Sequence, residues 1–309
     1  RHTDGLEVLE RRAEDHAYAL ERITPVIHPD DRIAGNKTRF IRGAIPYANY
    51  AAGPFLRQMR CQEQDAQQKH VSLGEGGGIA EAKRSAAASG REVFSGKFLI
   101  SHDDLAELQT ICEYWESKCM MAQGDRLWKE SFPEASFIED GWMVGLYTAP
   151  HDPCPEGRIV LDFEAALTRG FEAIIADIRQ RIAAYRPAGR EGPDLHFWRA
   201  AVRVLEGSIT YAHHYAVEAR RLTASENDPT RRADLLAMAD TCEHVPARPP
   251  RNFREAVQAY WFTYLMGHLE GAHLGYSPGR LDQVLLPWYA ADPTANFSTA
   301  VELLEELFV

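Results

Sequence analysis

The sequence predicts a predominantly helical α/β fold, and three observations carry that prediction. Apolar residues recur at helical spacing through most of the chain, from Leu6, Leu9, Ala13, Ala17, Leu20 and Ile23 to the closing run AVELLEELFV. Two stretches rich in Pro, Gly and aromatic residues, 27–54 and 132–161, interrupt that pattern and suit ordered loops or short strands. A chain of 309 residues, 45% hydrophobic and 26% charged, is long enough to bury ~75% of its unfolded surface, which excludes intrinsic disorder.

Taken in order, the spacing predicts an amphipathic helix over 6–23, stopped by Thr24-Pro25. Residues 56–70 and 80–90 read as helices separated by the glycine run Gly74 to Gly78, and 103–121 as a stronger helix begun by Ser101 or Asp103. Asp162 is the expected N-cap of a long helix with Phe163, Leu167, Phe171, Ile174, Ile175, Ile178 and Ile182 on one face. Helices continue over 195–222 and 230–241. Asn252 with Glu255 resembles a capping box before FREAVQAYWFTYLM, a segment apolar almost all round and therefore expected to be buried. A turn-rich segment, GYSPGRLDQ, a short apolar run, VLLPWY, and a helix begun by Thr299 and Glu302 complete the chain.

Thirty-four Lys and Arg against 45 Asp and Glu give a net charge of −11, which argues against gathering nucleic acid or anionic lipid by bulk charge. No stretch reaches the length of an apolar membrane span, and the first 30 residues are too charged for a secretory signal, so the cytoplasm is the expected compartment. Cys61, Cys112, Cys119, Cys154 and Cys242 are odd in number and irregular in spacing, and read as reduced thiols. Arg1 in place of a methionine and an apolar run ending at Val309 without a cap lead us to expect a fragment of a longer polypeptide.

The glycine run lacks the Gly-Lys-Ser/Thr ending of a phosphate loop and reads as a turn. His268, Glu270 and His273 miss the zincin spacing, so no metal is expected in this segment. Cys154 lies near His151 in a Pro-rich loop, the one place where a Cys/His pair is suggested. Arg158, at a loop tip before Ile-Val-Leu, presents the planar fork that binds a carboxylate bidentately, although a surface or capping role fits the same position. Arg280 stands beside Asp282, and a structural ion pair between them is expected.

Several segments carry a family resemblance. GYSPGRLDQVLLPWYAAD (275–292) resembles the Ser-x-Gly-Arg-x-Asp-Gln-x-Leu-x-Pro-Trp/Tyr-Tyr-x-x-Asp segment of glycyl radical enzymes, the pyruvate formate-lyase-like family. CEHVPARPPRNFREAVQAYWFTYL (242–265) is similar to a second family stretch, with Asn252 where Thr is usual. PEGRIVLDFEAALTRGFEAII (155–175) is similar to a third, with Arg158 in place of His. Gly-Arg at that point, with KTRFIRGAIP (37–46) and GEGGGIAEA (74–82), resembles the arylacetate decarboxylase branch.

The resemblance implies that residues 1–309 are the N-terminal part of a single pyruvate formate-lyase-like domain, half of a ten-stranded α/β barrel wrapped by helices. Family members are more than twice as long, so the radical cysteine and radical glycine are expected beyond Val309, and none of the five cysteines here is expected to be catalytic. The implied cofactor is a glycyl radical installed by an S-adenosylmethionine iron–sulfur activating enzyme. Implied partners are that enzyme, a small aromatic carboxylic acid and a second copy of the chain, with no nucleic acid or membrane. The implied reaction is radical decarboxylation of an arylacetate to a methylarene, indoleacetate being favoured over phenylacetate and hydroxyphenylacetate. Arg158 and Ser277 are then the candidates for holding the carboxylate, and Trp142, Tyr147 and Tyr276 for lining the ring pocket. Arg280, Asp282 and Gln283 belong to the structural motif. Another glycyl radical lyase or dehydratase, or a non-catalytic assembly module, is the alternative. Half a barrel would leave strand edges and apolar surface open, so association is expected.

Overall fold

The computed structural model describes residues 3, 5–39, 47–50, 52–53, 56, 102–133, 158–186, 192–271 and 275–308. The expected helix at 56–70 apart from Leu56, the expected helix at 80–90, the glycine run, Cys61, His151 and Cys154 lie outside these residues. The chain divides into two compact units, one made of Arg1–Ile45 with Glu156–Val309 and the other of Pro46–Pro155.

In the smaller unit, the single helix expected over 103–121 is two helices. We number the elements in chain order: α1 Val8–Leu20, α2 His102–Trp115, α3 Met120–Ser131, β1 Arg158–Val160, α4 Phe163–Ala184, α5 Pro193–Thr223, α6 Pro229–His244, α7 Phe253–Glu270, β2 Gly275–Ser277, α8 Leu281–Ala291 and α9 Phe297–Leu307. The helix expected over 103–121 stops at Trp115, whose carbonyl accepts from both Lys118 N (2.9 Å) and Cys119 N (2.8 Å) in a closing turn. Cys112 and Cys119, on either side of the break, pack with Ala48, Ala52 and Leu56 in a small apolar cluster.

The larger unit is built around α7. Its sequence is apolar on nearly every side, and Phe253, Ala256, Val257, Tyr260, Phe262, Leu265 and Met266 are all buried. One flank meets Phe163, Leu167 and Phe171 of α4 with Leu285 of α8 and Leu303 of α9. The other meets Tyr211, Tyr215 and Ala216 of α5 and Met238 and Cys242 of α6. Full burial of a side chain such as Phe262 or Leu265 stabilises the fold by about 1.5–3 kcal/mol. The expected cap at Asn252 is present, its Oδ1 accepting from Glu255 N at 2.9 Å. The Glu255 carboxylate reaches one residue further back than a capping box requires, accepting from Arg251 N at 2.7 Å and pairing with the Arg251 guanidinium.

Residues 33–36 cross this helix as an ordered strap. Gln258, 2% exposed, accepts from Ala34 N and donates to Ala34 O, both at 2.7 Å, so a buried peptide that meets no strand is satisfied by one side-chain amide. Trp261 Nε1 donates to Gly35 O at 2.8 Å and Tyr211 Oη to Asn36 O at 3.2 Å. Along α1, Arg203 of α5 joins Glu14 and Glu21 at 2.6 Å each, fixing the opening helix to α5.

The Asp162 cap is also present, accepting from Ala165 N at 3.0 Å. α4 is kinked at Gly170 (φ 70°, ψ 161°), and the amides released there, Phe171 N and Glu172 N, donate to Pro246 O and Ala247 O at 2.9 Å each. Three expectations are corrected at the C-terminal end. VLLPWY lies within a helix, α8, despite Pro287, because Leu285 is buried and Val284, Trp288 and Tyr289 pack on the α4–α7 cluster. The closing helix begins earlier than Thr299, capped by Asn296, whose Oδ1 accepts from Thr299 N at 3.0 Å. Part of the turn-rich GYSPGRLDQ segment is a strand, β2, paired in parallel with β1.

Candidate functional site

The β1/β2 pair brings together segments more than a hundred residues apart. Its register sets Arg158 opposite Gly275, Ile159 opposite Tyr276 and Val160 opposite Ser277. Arg158 and Ser277 therefore occupy positions of one parity on adjacent strands, and Tyr276 the other parity. Val160, on the parity of Arg158 and Ser277, is 61% exposed, so that face of the ribbon is open.

Tyr276 points the other way, into the protein. It is 6% exposed, with its ring 4.9 Å from that of His268 and 6.4 Å from that of Tyr264, both on α7. The ring is part of the wall that seats β2 on α7. Trp142 and Tyr147, the other two ring-pocket candidates, lie outside the described residues, as does the Arg158 side chain.

Ser277 stands at an exposed, tightly specified turn. Its Oγ accepts from Gly279 N at 3.3 Å, which leaves the hydroxyl proton for another acceptor. Gly279 has φ +62°, and a Cβ there would lie 3.2 Å from Val160 Cγ1, so the Pro278-Gly279 step needs glycine for its backbone angle and for space. Arg280 then begins α8. Its guanidinium is directed to Gln283 Oε1 at 3.4 Å, not to Asp282 as expected, because residues three apart share a helix face and residues two apart do not. Asp282 instead occupies the first turn of α8, where the helix dipole favours a carboxylate.

Two tyrosines that the sequence analysis left unassigned hold this turn. Tyr260 Oη donates to Pro278 O at 2.7 Å and Tyr264 Oη donates to Tyr276 O at 3.3 Å, so the carbonyls on both sides of Ser277 are anchored to α7. Tyr260 is 2% exposed and its ring stacks on Phe163 at 4.2 Å. Burial, reinforced by Tyr264, pushes the Tyr260 phenol well above its ordinary value, and burial raises that of Tyr264. Both therefore remain protonated donors at neutral pH. Their i, i+4 spacing in an otherwise apolar helix was the signal: a buried phenol needs an acceptor.

The last residue of the recognised segment, Asp292, has a structural task. It accepts from Phe253 N at 3.0 Å and from Thr294 N and Oγ1 at 2.8 and 2.6 Å. The Thr294 hydroxyl, followed by the backbone donors, holds its carboxyl below the usual range. A cleft of about 360 Å³ opens beside it, lined in part by Arg251, Glu255, Asp292 and Asn296. Several polar groups of that cleft are engaged with one another, as in the Arg251–Glu255 and Asn296–Thr299 contacts, and no residue of the β1/β2 ribbon lines it. Among the described residues no group of three or more His, Cys, Asp or Glu side chains is arranged to hold a metal ion. Cys112, Cys119 and Cys242 are buried thiols. Burial drives Cys242 far above the ordinary thiol range, the opposite of an activated nucleophile.

This arrangement can be compared with known proteins. A family model for pyruvate formate lyase-like proteins matches residues 1–309. The chain is 33% identical to an indoleacetate decarboxylase of Tractidigestivibacter scatoligenes, over 98% of this chain and 34% of the relative. It is 26% identical to the 4-hydroxyphenylacetate decarboxylase glycyl radical subunit of Clostridioides difficile, over 99% of this chain and 35% of the relative. An isethionate sulfite-lyase of Desulfovibrio desulfuricans is 38% identical over 48% of this chain and 19% of its own. Among solved structures, a glycyl radical enzyme from Archaeoglobus fulgidus superposes with a TM-score of 0.75 at 27% identity, covering 99% of this chain and 36% of that one. The chain thus spans about a third of the length of the relatives that it matches from end to end. With the match extending over every residue, the chain belongs to the pyruvate formate lyase-like family.

Proposed function

We propose that the full-length protein is a glycyl radical carboxy-lyase that converts an arylacetate and a proton to a methylarene and CO2. One observation carries the reading: similarity to an indoleacetate decarboxylase runs through 98% of the chain. The register of β1 and β2, with Arg158 and Ser277 at positions of one parity on an open ribbon, supports it. In this reading the two strands belong to a ten-stranded barrel, both compact units are parts of one domain, and the radical cysteine and glycine lie outside this third of the protein. The glycyl radical, installed by an S-adenosylmethionine iron–sulfur activating enzyme, supplies the hydrogen-atom chemistry.

The residues of this chain do the holding. The Arg158 guanidinium would bind the carboxylate as a fork, and the Ser277 hydroxyl, with Gly279 N already donating to its oxygen, would give its proton to the same group. A charge-assisted hydrogen bond contributes about 1.5–3 kcal/mol, enough to hold one pose within a water-excluding barrel. Trp142 and Tyr147 are proposed to line the arene pocket, with Tyr276 behind them as wall. A homodimer in the cytoplasm completes the reading.

The test is anaerobic activation of the full-length polypeptide followed by incubation with indoleacetate, phenylacetate and 4-hydroxyphenylacetate in turn, with CO2 and the methylarene measured together. Turnover of indoleacetate is expected to exceed that of the other two. A second reading, favoured by the 38% identity over half the chain, is release of sulfite from isethionate. Sulfite formation with no CO2 from any arylacetate would replace the first reading with the second.

A further inference from the structure

We infer that Tyr260 and Tyr264 are positioning residues for the substrate carboxylate, acting through the main chain of Ser277; this rests on the proposed arylacetate reading. Ser277 sits exposed at the end of a three-residue strand. Its placement comes from its two neighbours. Tyr276 O accepts from Tyr264 Oη at 3.3 Å and Pro278 O accepts from Tyr260 Oη at 2.7 Å, and both phenols rise from one face of α7. On the far side, β1 fixes the register and so the separation between Ser277 and Arg158.

The two bonds differ in strength and in support. The Tyr260 bond is the shorter, and its ring is immobilised by the Phe163 stack and by nearly complete burial. Rotation of that phenol has little room, so Pro278 O is held at a fixed height above α7. Gly279, in its left-handed conformation against Val160, fixes the other end of the same turn and presents the N–H that orients the Ser277 hydroxyl. A Phe at 260 keeps the stack and removes only the anchor, and the turn can then shift by the fraction of an ångström that separates a productive hydrogen bond from a poor one.

The experiment uses full-length, unactivated protein, with calorimetric Kd values for indoleacetate and for indoleacetamide, its uncharged analogue, followed by kcat and KM after activation. Tyr260→Phe is expected to weaken indoleacetate binding and raise KM by about three- to tenfold, with a smaller change for Tyr264→Phe. Indoleacetamide binding is expected to stay within about twofold, since general damage to the fold would weaken both ligands and loss of carboxylate placement only one. In the Ser277→Ala background, Tyr260→Phe is expected to add nothing. Ser277→Ala that weakens indoleacetate while Tyr260→Phe does not, or full additivity of the two, overturns the positioning role alone. Ser277→Ala and Arg158→Ala that both leave the Kd unchanged overturn the carboxylate reading and this inference with it. Should Tyr260→Phe fail to fold, Tyr264→Phe and its cycle with Ser277→Ala decide the matter by the same criteria.

Discussion

Replacing Gly170 by Ala should unfasten α4 from the 246–248 segment. At φ 70° and ψ 161° the residue occupies a region that essentially only glycine enters, which costs an L side chain about 1–3 kcal/mol. The added Cβ would lie 2.6 Å from Ala247 O and 2.7 Å from Arg248 C and Cα, all backbone atoms that no rotamer change can move. The segment must therefore retreat, and the atoms that retreat include the acceptor of Glu172 N, next to that of Phe171 N. Losing two such bonds adds about 0.5–1.5 kcal/mol each, for a total loss near 2–6 kcal/mol. Gly5 supplies the control. It also has a positive φ, 87°, but a Cβ there meets nothing within 4 Å, so Gly5→Ala should cost only the backbone preference, about 1–2 kcal/mol. Hydrogen exchange read by mass spectrometry on the full-length protein reports the site directly: the Phe171 and Glu172 amides should lose protection in Gly170→Ala and keep it in Gly5→Ala. Equal stability losses from the two substitutions, with both amides still protected, would refute the reasoning.

Two further outcomes follow from the same packing. Gln258→Leu should destabilise the protein by about 2–6 kcal/mol, because Ala34 N and O would both be left buried without their acceptor and donor, and urea unfolding should register the loss. Asp292→Ala should cost about 0.5–2 kcal/mol near neutral pH by exposing the first amide of α7 and freeing Thr294. Because the folded carboxyl titrates below its ordinary value, the stability it contributes is present above that value and lost as pH falls through the folded pKa. The wild-type advantage over Asp292→Ala, followed by thermal melting, should therefore shrink in acid and hold steady above pH ~5.

Local signals in the sequence placed two of the helix caps, although at the closing helix the cap is Asn296, three residues before the expected start. Asp162 and Asn252 cap the helices they were expected to cap, and the all-round apolar text of 253–266 is the buried centre of the larger unit. What escaped was decided at a distance. β2 is three residues long, and its partner lies more than a hundred residues upstream, so no alternation within GYS could announce it. α8 tolerates Pro287 because its apolar residues pack on α4 and α7, a tertiary preference that outweighs intrinsic propensity. The break after Trp115 carries neither Gly nor Pro, so no local breaker announced it. The motifs singled out Arg158 and Ser277 but gave no sign that β1 and β2 would set them at one parity, and the anchoring by Tyr260 and Tyr264 was hidden because both look like core residues.

That double role bears on how such a site is built. The SPGR segment has few packing contacts of its own; its Ser and Arg are exposed, and its geometry is imposed from below by α7 and from the side by β1. A turn held in this way keeps its shape without relying on its exposed side chains. Ser277 spends one lone pair on Gly279 N and retains its proton, and one N–H of the Arg280 guanidinium is directed to Gln283. In the arylacetate reading, substituting the visible motif residues would remove a group that meets the carboxylate, and substituting the buried phenols would shift where the Ser277 hydroxyl stands without touching a ligand that lacks the charge. Under that reading the fork at position 158 selects the charge, while the phenols of α7 set the place of the second donor, so the two sets of residues can be separated by experiment.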